Sequence, residues 1–166
     1  MAPVGRAAEL IATLQLAPHP EGGWYREIFR GAGEVRPAGG GAARNTLTSI
    51  DFLLQAGQCS AWHRVAADEA WHLLEGGPLR LWLLPPDLGR VEFVDLAPVD
   101  GQGRRPRHVV PANWWQAAEP LPGADFAYVG ATVGPGFDFA DFSFGRDDAA
   151  MCSALRHLAP DVLRLL

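Results

Sequence analysis

The stretch from Trp62 to Leu84 constrains the fold of this chain more than any other. Glu69, Trp71 and Leu73 alternate with Ala70, His72 and Leu74, which is the period of an extended strand with two distinct faces. Gly76-Gly77-Pro78 then supplies a turn signal, and Leu79-Arg80-Leu81-Trp82-Leu83-Leu84 begins a second strand at once. The pattern predicts a hairpin with a polar centre, His63 and Glu69, set in an apolar wall.

The rest of the chain supports many short strands over a helical bundle. Its 166 residues suit one domain spanning 1–166, and the 19 Gly and 14 Pro are scattered rather than periodic. A helix is expected over Ala7–Leu16, where Leu10, Ile11 and Leu14 have helical spacing before Pro18 and Pro20. Gly22-Gly23 precede an aromatic strand start at Trp24-Tyr25, with His19 as a loop residue, and Gly31–Ala43 is expected as a flexible loop. Asn45–Leu54 is expected as a strand with Ile50, Phe52 and Leu54 on one face, Thr48 forming the polar end of that row. Further strands are expected over Val91–Leu96, His108–Pro111, Ala124–Val133 and Phe137–Phe144. Asp100–Arg107 reads as a solvated loop, and a helix closes the chain from Asp147. About nine strands with terminal helices predict a β-sandwich or small barrel.

Charge and cysteine content narrow the partners. The net charge is -5, with no basic stripe interleaved with aromatics, so no nucleic acid is expected. The two cysteines, Cys59 and Cys152, are far apart and show no metal spacing, which fits a reducing compartment. No leader pattern or long apolar run stands out, so the expected location is cytoplasmic, with no membrane.

Two motifs carry a resemblance. Gly57, His63, Glu69 and Gly76 fall on the spacing of the first cupin motif, with Val65 in the place of its second histidine. Pro111 fits the second motif, in which Asn113 stands for Gly, Gln116 for His and Pro120 for Asn. The chain resembles the fifth cupin family, grouped by fold with the RmlC-like sugar epimerases. The likeness runs from about Leu10 to Leu158 and includes the segment Gly134-Pro135-Gly136-Phe137-Asp138-Phe139-Ala140-Asp141-Phe142. It implies an all-β fold, the cupin double-stranded β-helix or jelly-roll barrel with short N- and C-terminal helices, commonly paired into a homodimer. It does not imply a particular reaction.

The resemblance leaves three readings of the polar centre. In the first, His63 and Glu69 are catalytic, with His63 as a general base in a metal-free epimerase or isomerase acting on a sugar-like compound. RmlC-like epimerases also use a tyrosine acid, and only Tyr25 and Tyr128 are present to fill that role. In the second, the cavity binds a small-molecule ligand without turnover, through Tyr25, Arg26, Thr48, Trp62, Trp71, Gln116 and Phe139, with Trp114 a further aromatic wall. In the third, His63, Glu69 and Gln116 hold a divalent transition metal with a reduced ligand set, an amide being a poor replacement for imidazole. His72 has the opposite strand parity to Glu69 and points away from the cavity. Asp138 and Asp141 do not share a strand face, and each is expected to satisfy loop backbone or an arginine.

Overall fold

The computed structural model describes residues 5–166. The chain begins with α1 (Arg6–Leu14), β1 (Ala17–Pro18), β2 (Trp24–Arg30), β3 (Glu34–Val35), β4 (Arg44–Asn45) and β5 (Thr48–Gln55). The central hairpin region is β6 (Ser60–Val65), β7 (Asp68–Gly76) and β8 (Leu79–Leu84). There follow β9 (Glu92–Leu96), β10 (Arg107–Val110), β11 (Trp115–Pro120), β12 (Phe126–Gly134), β13 (Phe142–Phe144) and α2 (Ala149–Leu158). One sheet has six strands in the order β1-β2-β5-β12-β7-β10, and the other has five in the order β13-β6-β11-β8-β9. Strands distant in sequence are neighbours, as where β12 lies antiparallel between β5 and β7. This is the expected all-β jelly roll, with its α-helices at the two ends.

Strand parity divides the buried side chains into three layers. Leu79, Leu81 and Leu83 of β8 turn inward and meet Phe52 and Leu54 of β5, Trp71 of β7, and Ala127 and Val129 of β12 between the sheets. Each such leucine contributes about 2 kcal/mol relative to exposure. A one-residue slip of β8 would bring Arg80 and Trp82 inward instead, so this strand fixes its own register. The outer face of the five-stranded sheet buries Trp62, Leu84 and Trp115 under Met151 and Leu155 of α2 and Val162 and Leu165 beyond it. The outer face of the six-stranded sheet carries Leu53 under Leu10 and Leu16 of the N-terminal segment.

The structure corrects two segment boundaries. Gly31–Ala43 is not wholly loop, because Glu34 and Val35 pair with Asn45 and Arg44 in a small ladder. Phe137–Phe144 is not one strand: Asp138 caps a 3-10 turn over Phe139–Asp141 by accepting from the Ala140 amide, and only Phe142–Phe144 joins the sheet. A carboxylate that bonds the backbone two residues on favours a turn over an extended chain. The two motif glycines, Gly57 and Gly76, have φ of 80° and 76°, and Asn113, standing where the second motif has Gly, has φ of 66°. Asparagine tolerates this left-handed region better than other side chains, which explains why the replacement keeps the turn.

Candidate functional site

A cavity of about 630 Å³ lies between the sheets. Strand β5 supplies Thr48 and Ile50, β12 supplies Ala131 and Val133, and β7 supplies Glu69. From the opposite sheet come His63 and Val65 of β6, with Phe142 of β13. The Phe142 ring stacks on the His63 imidazole, with centroids 5.3 Å apart and planes 15° apart. Tyr25, Arg26 and Phe139 also line the space. Tyr128 does not; it donates to Asp51 on the outer face at 2.8 Å.

Among the lining residues that the sequence does not mark as site residues are His19 and Glu21, both from the segment before β2. His19 is a loop residue, but its side chain is only 6% exposed and faces this cavity. Glu21 is buried beside it. The cause is Gly22, whose φ of 111° lets the chain lie so close to the Cys59 carbonyl that any Cβ there would collide with it. The Glu21 carbonyl then accepts from the Ala61 amide at 2.8 Å, which seats the Glu21 carboxyl beside β6. The sequence signal was a carboxylate placed directly before two glycines.

Hydrogen bonds fix the protonation geometry. His63 Nδ1 lies 2.7 Å from the Ala61 carbonyl, which can only accept, so Nδ1 carries the hydrogen and Nε2 is the free position. Nε2 stands 3.3 Å from Glu21 Oε2. The other Glu21 oxygen accepts from the Ser60 hydroxyl at 2.8 Å. His19 Nδ1 accepts from the Glu21 amide at 3.1 Å, so its 3.8 Å approach to Glu21 Oε2 is not an ion pair. Burial pushes His63 and His19 down from the ordinary imidazole value and pushes Glu21 up from the ordinary carboxyl value.

Glu69 is held from behind. The Trp71 indole N–H can only donate, and it donates to Gln116 Oε1 at 2.9 Å. That orients the amide so that Gln116 Nε2 donates to Glu69 Oε2. Burial pushes the Glu69 carboxyl up to about 7.

Three expected wall residues stand elsewhere. Trp62 does not line the cavity, because it alternates with His63 on β6 and so faces the opposite side, where its indole donates to the Val162 carbonyl at 3.1 Å. Trp71 and Gln116 face inward but lie behind Glu69, outside the lining. Trp114 packs at the edge of the central core and also lies outside it. His72 is likewise outside, on the face that parity assigned to it.

The donor set does not fit a cupin-type metal. Val65 presents a hydrocarbon side chain where the motif has its second histidine. Gln116 is no third ligand, since its oxygen is turned to Trp71 and its nitrogen to Glu69. Among the described residues, no group of three or more His, Cys, Asp or Glu side chains is arranged to hold an ion.

The sequence matches the family described as Cupin superfamily (DUF985) over residues 8–145. The chain belongs to this family. An uncharacterised protein of Saccharomyces cerevisiae is 29% identical over 170 residues, covering 94% of this chain and 81% of the yeast protein. A hypothetical protein from Leishmania major has a similar structure, with a TM-score of 0.82, 29% identity and coverage of 96% of this chain and 97% of that one. Protein SO0799 from Shewanella oneidensis gives a TM-score of 0.81 with 31% identity, covering 98% of each chain. Oxalate decarboxylase from Bacillus subtilis shares the fold alone, with a TM-score of 0.56 at 14% identity, covering 90% of this cupin and 36% of the decarboxylase chain. No helix among the described residues of this cupin is long and apolar enough to cross a membrane.

Proposed function

We propose that this cupin cavity is a proton-transfer site of the epimerase or isomerase type, taking a sugar-like or other polyol-like carbonyl compound. The observation that supports it is a buried imidazole and a buried carboxyl lining one cavity, each in an environment that favours its neutral form. Such chemistry at neutral pH needs an unprotonated base and a protonated acid at once, and burial moves His63 and Glu69 in the directions that supply them. His63 Nε2 would take the proton from the carbon beside the substrate carbonyl, while Glu69 gives its own proton to the carbonyl oxygen. The products of that step are an enol, an imidazolium and the Glu69 carboxylate, and the Glu21 carboxyl 3.3 Å away lies beside the imidazolium. Delivery of the His63 proton to the former carbonyl carbon, with transfer of the neighbouring hydroxyl's proton to Glu69, completes an isomerisation and restores both groups. Tyr25, the tyrosine on this wall, is the second acid available for return to the opposite face. Phe139 and Phe142 offer ring faces to the C–H side of a sugar, and Arg26 and Thr48 offer polar groups to its hydroxyls.

Solvent-deuterium exchange tests the proposal. A panel of aldoses, ketoses and their nucleotide-linked forms is incubated with the protein in D2O and followed by proton NMR. At least one compound should lose a C–H signal, and His63→Ala should slow that loss by about a hundredfold or more. A compound that binds the cavity without exchange makes this a binding module instead. Exchange that appears only when a divalent transition metal is added supports the metal-dependent alternative.

The proposal includes a homodimer built on the outer face of the six-stranded sheet. The register places Phe29, Ser49, Thr132, Ala70 and Val109 in one row across that face. Phe29 and Val109 are 53% and 55% exposed. The small residues between them leave a flat strip on which the same sheet of a second copy can lie closely.

A further inference from the structure

We propose that the cleft between β9, β10 and the loop joining them is a second binding site, for a small ligand carrying two closely spaced negative charges of the phosphate class. The cleft encloses about 550 Å³ and shares no lining residue with the first cavity. Arg80, Arg104, Arg105, Arg107 and His108 line it.

Two of the cations there, Arg105 and Arg107, have no acidic partner among the described residues. Arg80 is committed to Asp95 through two bonds of 2.7 and 2.9 Å, and its guanidinium lies 3.8 Å over the Phe93 ring. Arg104 approaches Asp100 only at 3.8 Å, and that carboxylate already accepts from the amides of Gln102 and Arg104. Among the described residues, the Arg105 side chain bonds only to the Arg104 carbonyl, at 2.7 Å. The Arg107 side chain has no hydrogen-bond or ion-pair partner among the described residues. Arg104, Arg105 and Arg107 thus line one cleft of a chain whose net charge is -5, and the last two carry charges no side chain offsets. Like charges around one concavity repel, and an anion between them removes the repulsion.

The cleft is also built rather than slack. The sequence pattern of residues 100–107 reads as a solvated loop, yet its backbone is tied down at both sides. The Ala97 amide donates to the Arg105 carbonyl at 3.1 Å, and the Leu73 amide donates to the Pro106 carbonyl at 2.6 Å. Asp100 closes the turn through its two amide bonds. The guanidinium groups are therefore carried on a fixed frame, and their planar forks match the oxygens of a phosphate better than those of a single-point anion. A nucleic acid fits less well, because the cations gather in one concavity instead of tracking a backbone across the surface.

Isothermal titration of the full chain with inorganic pyrophosphate in 0.15 M KCl, roughly physiological ionic strength, tests the site. Saturable one-to-one binding is expected, weakened at least about tenfold in the R105A/R107A double variant. Both residues are exposed, so the variant should keep its melting temperature. Binding should be unchanged in H63A and weaker for orthophosphate. Four results would overturn the proposal: no saturable binding, equal binding by the double variant, loss of binding in H63A, or equal affinity for orthophosphate. Displacement of pyrophosphate by a single-stranded RNA oligomer at lower concentration would overturn it too.

Discussion

Replacing Glu69 with Gln should remove a distinctive pH dependence of stability. The carboxyl ordinarily titrates near 4.5 and is pushed by burial to about 7 in the folded protein. A group raised in this way binds its proton more tightly folded than unfolded. Its contribution to stability is fully present below pH 4.5 and is lost as pH rises through 7. The shift corresponds to about 3 kcal/mol. His63 and His19 act in the opposite sense: both are lowered by burial, so their contribution is present above the ordinary 6.5 and lost as pH falls below it. The wild-type profile alone therefore mixes the two, and the difference from Glu69→Gln isolates the carboxyl. The amide is close in shape, and its oxygen can still accept from Gln116 Nε2, so the fold should hold. Urea unfolding measured from about pH 4.5 to 8 should show the wild type losing up to about 3 kcal/mol relative to the variant across that span. Infrared spectra should show a protonated carboxyl band below pH 7 that is weaker in the variant, where Glu21 is the buried carboxyl that remains raised. Parallel stability curves, or an identical band in both proteins, would refute the assignment of a buried neutral acid to this position.

Trp62→Phe removes the indole bond to Val162 in a fully buried setting and should cost about 1–3 kcal/mol in urea unfolding, while pyrophosphate binding stays unchanged. Light scattering at micromolar concentration should report a dimer, and the V109E/L74E pair should give a monomer with an unaltered far-ultraviolet spectrum, because both side chains are 55% exposed. A wild-type monomer at that concentration would reject the sheet-face pairing.

Period-two alternation made the strands legible because each face of a strand meets a different environment. Glu69, Trp71 and Leu73 all turn inward, and Leu74 on the other face is 55% exposed, as the pattern of β7 requires. The same rule, applied to β6, places Trp62 opposite His63; an aromatic beside a motif histidine invites assignment to the same wall, but adjacent residues of a strand cannot share a face. What the pattern could not carry is long-range approach. His19 and Glu21 enter the cavity only because Gly22 passes against Cys59, a contact between positions far apart in sequence. The fixed shape of residues 97–106 is of the same kind, since it rests on hydrogen bonds from the Leu73 amide of β7 to the Pro106 carbonyl and from the Ala97 amide to the Arg105 carbonyl, which no local pattern encodes.

The two departures from the cupin motifs, Val65 and Gln116, act together on Glu69. A cation beside a carboxylate would keep it ionised, offsetting the cost of burial. Here the cavity presents Val65 instead, and Gln116 offers a single neutral donor, so desolvation outweighs the hydrogen bond and the carboxyl rises to about 7. Because Gln116 Nε2 occupies Oε2, the acid proton belongs on the other oxygen, Oε1. The substitutions that take away two strong metal donors are thus the ones that leave a carboxyl raised by burial in one cavity with an imidazole lowered by burial. Restoring a histidine at Val65 would set both effects in reverse, since an imidazolium or a bound metal ion near Glu69 would draw its proton off.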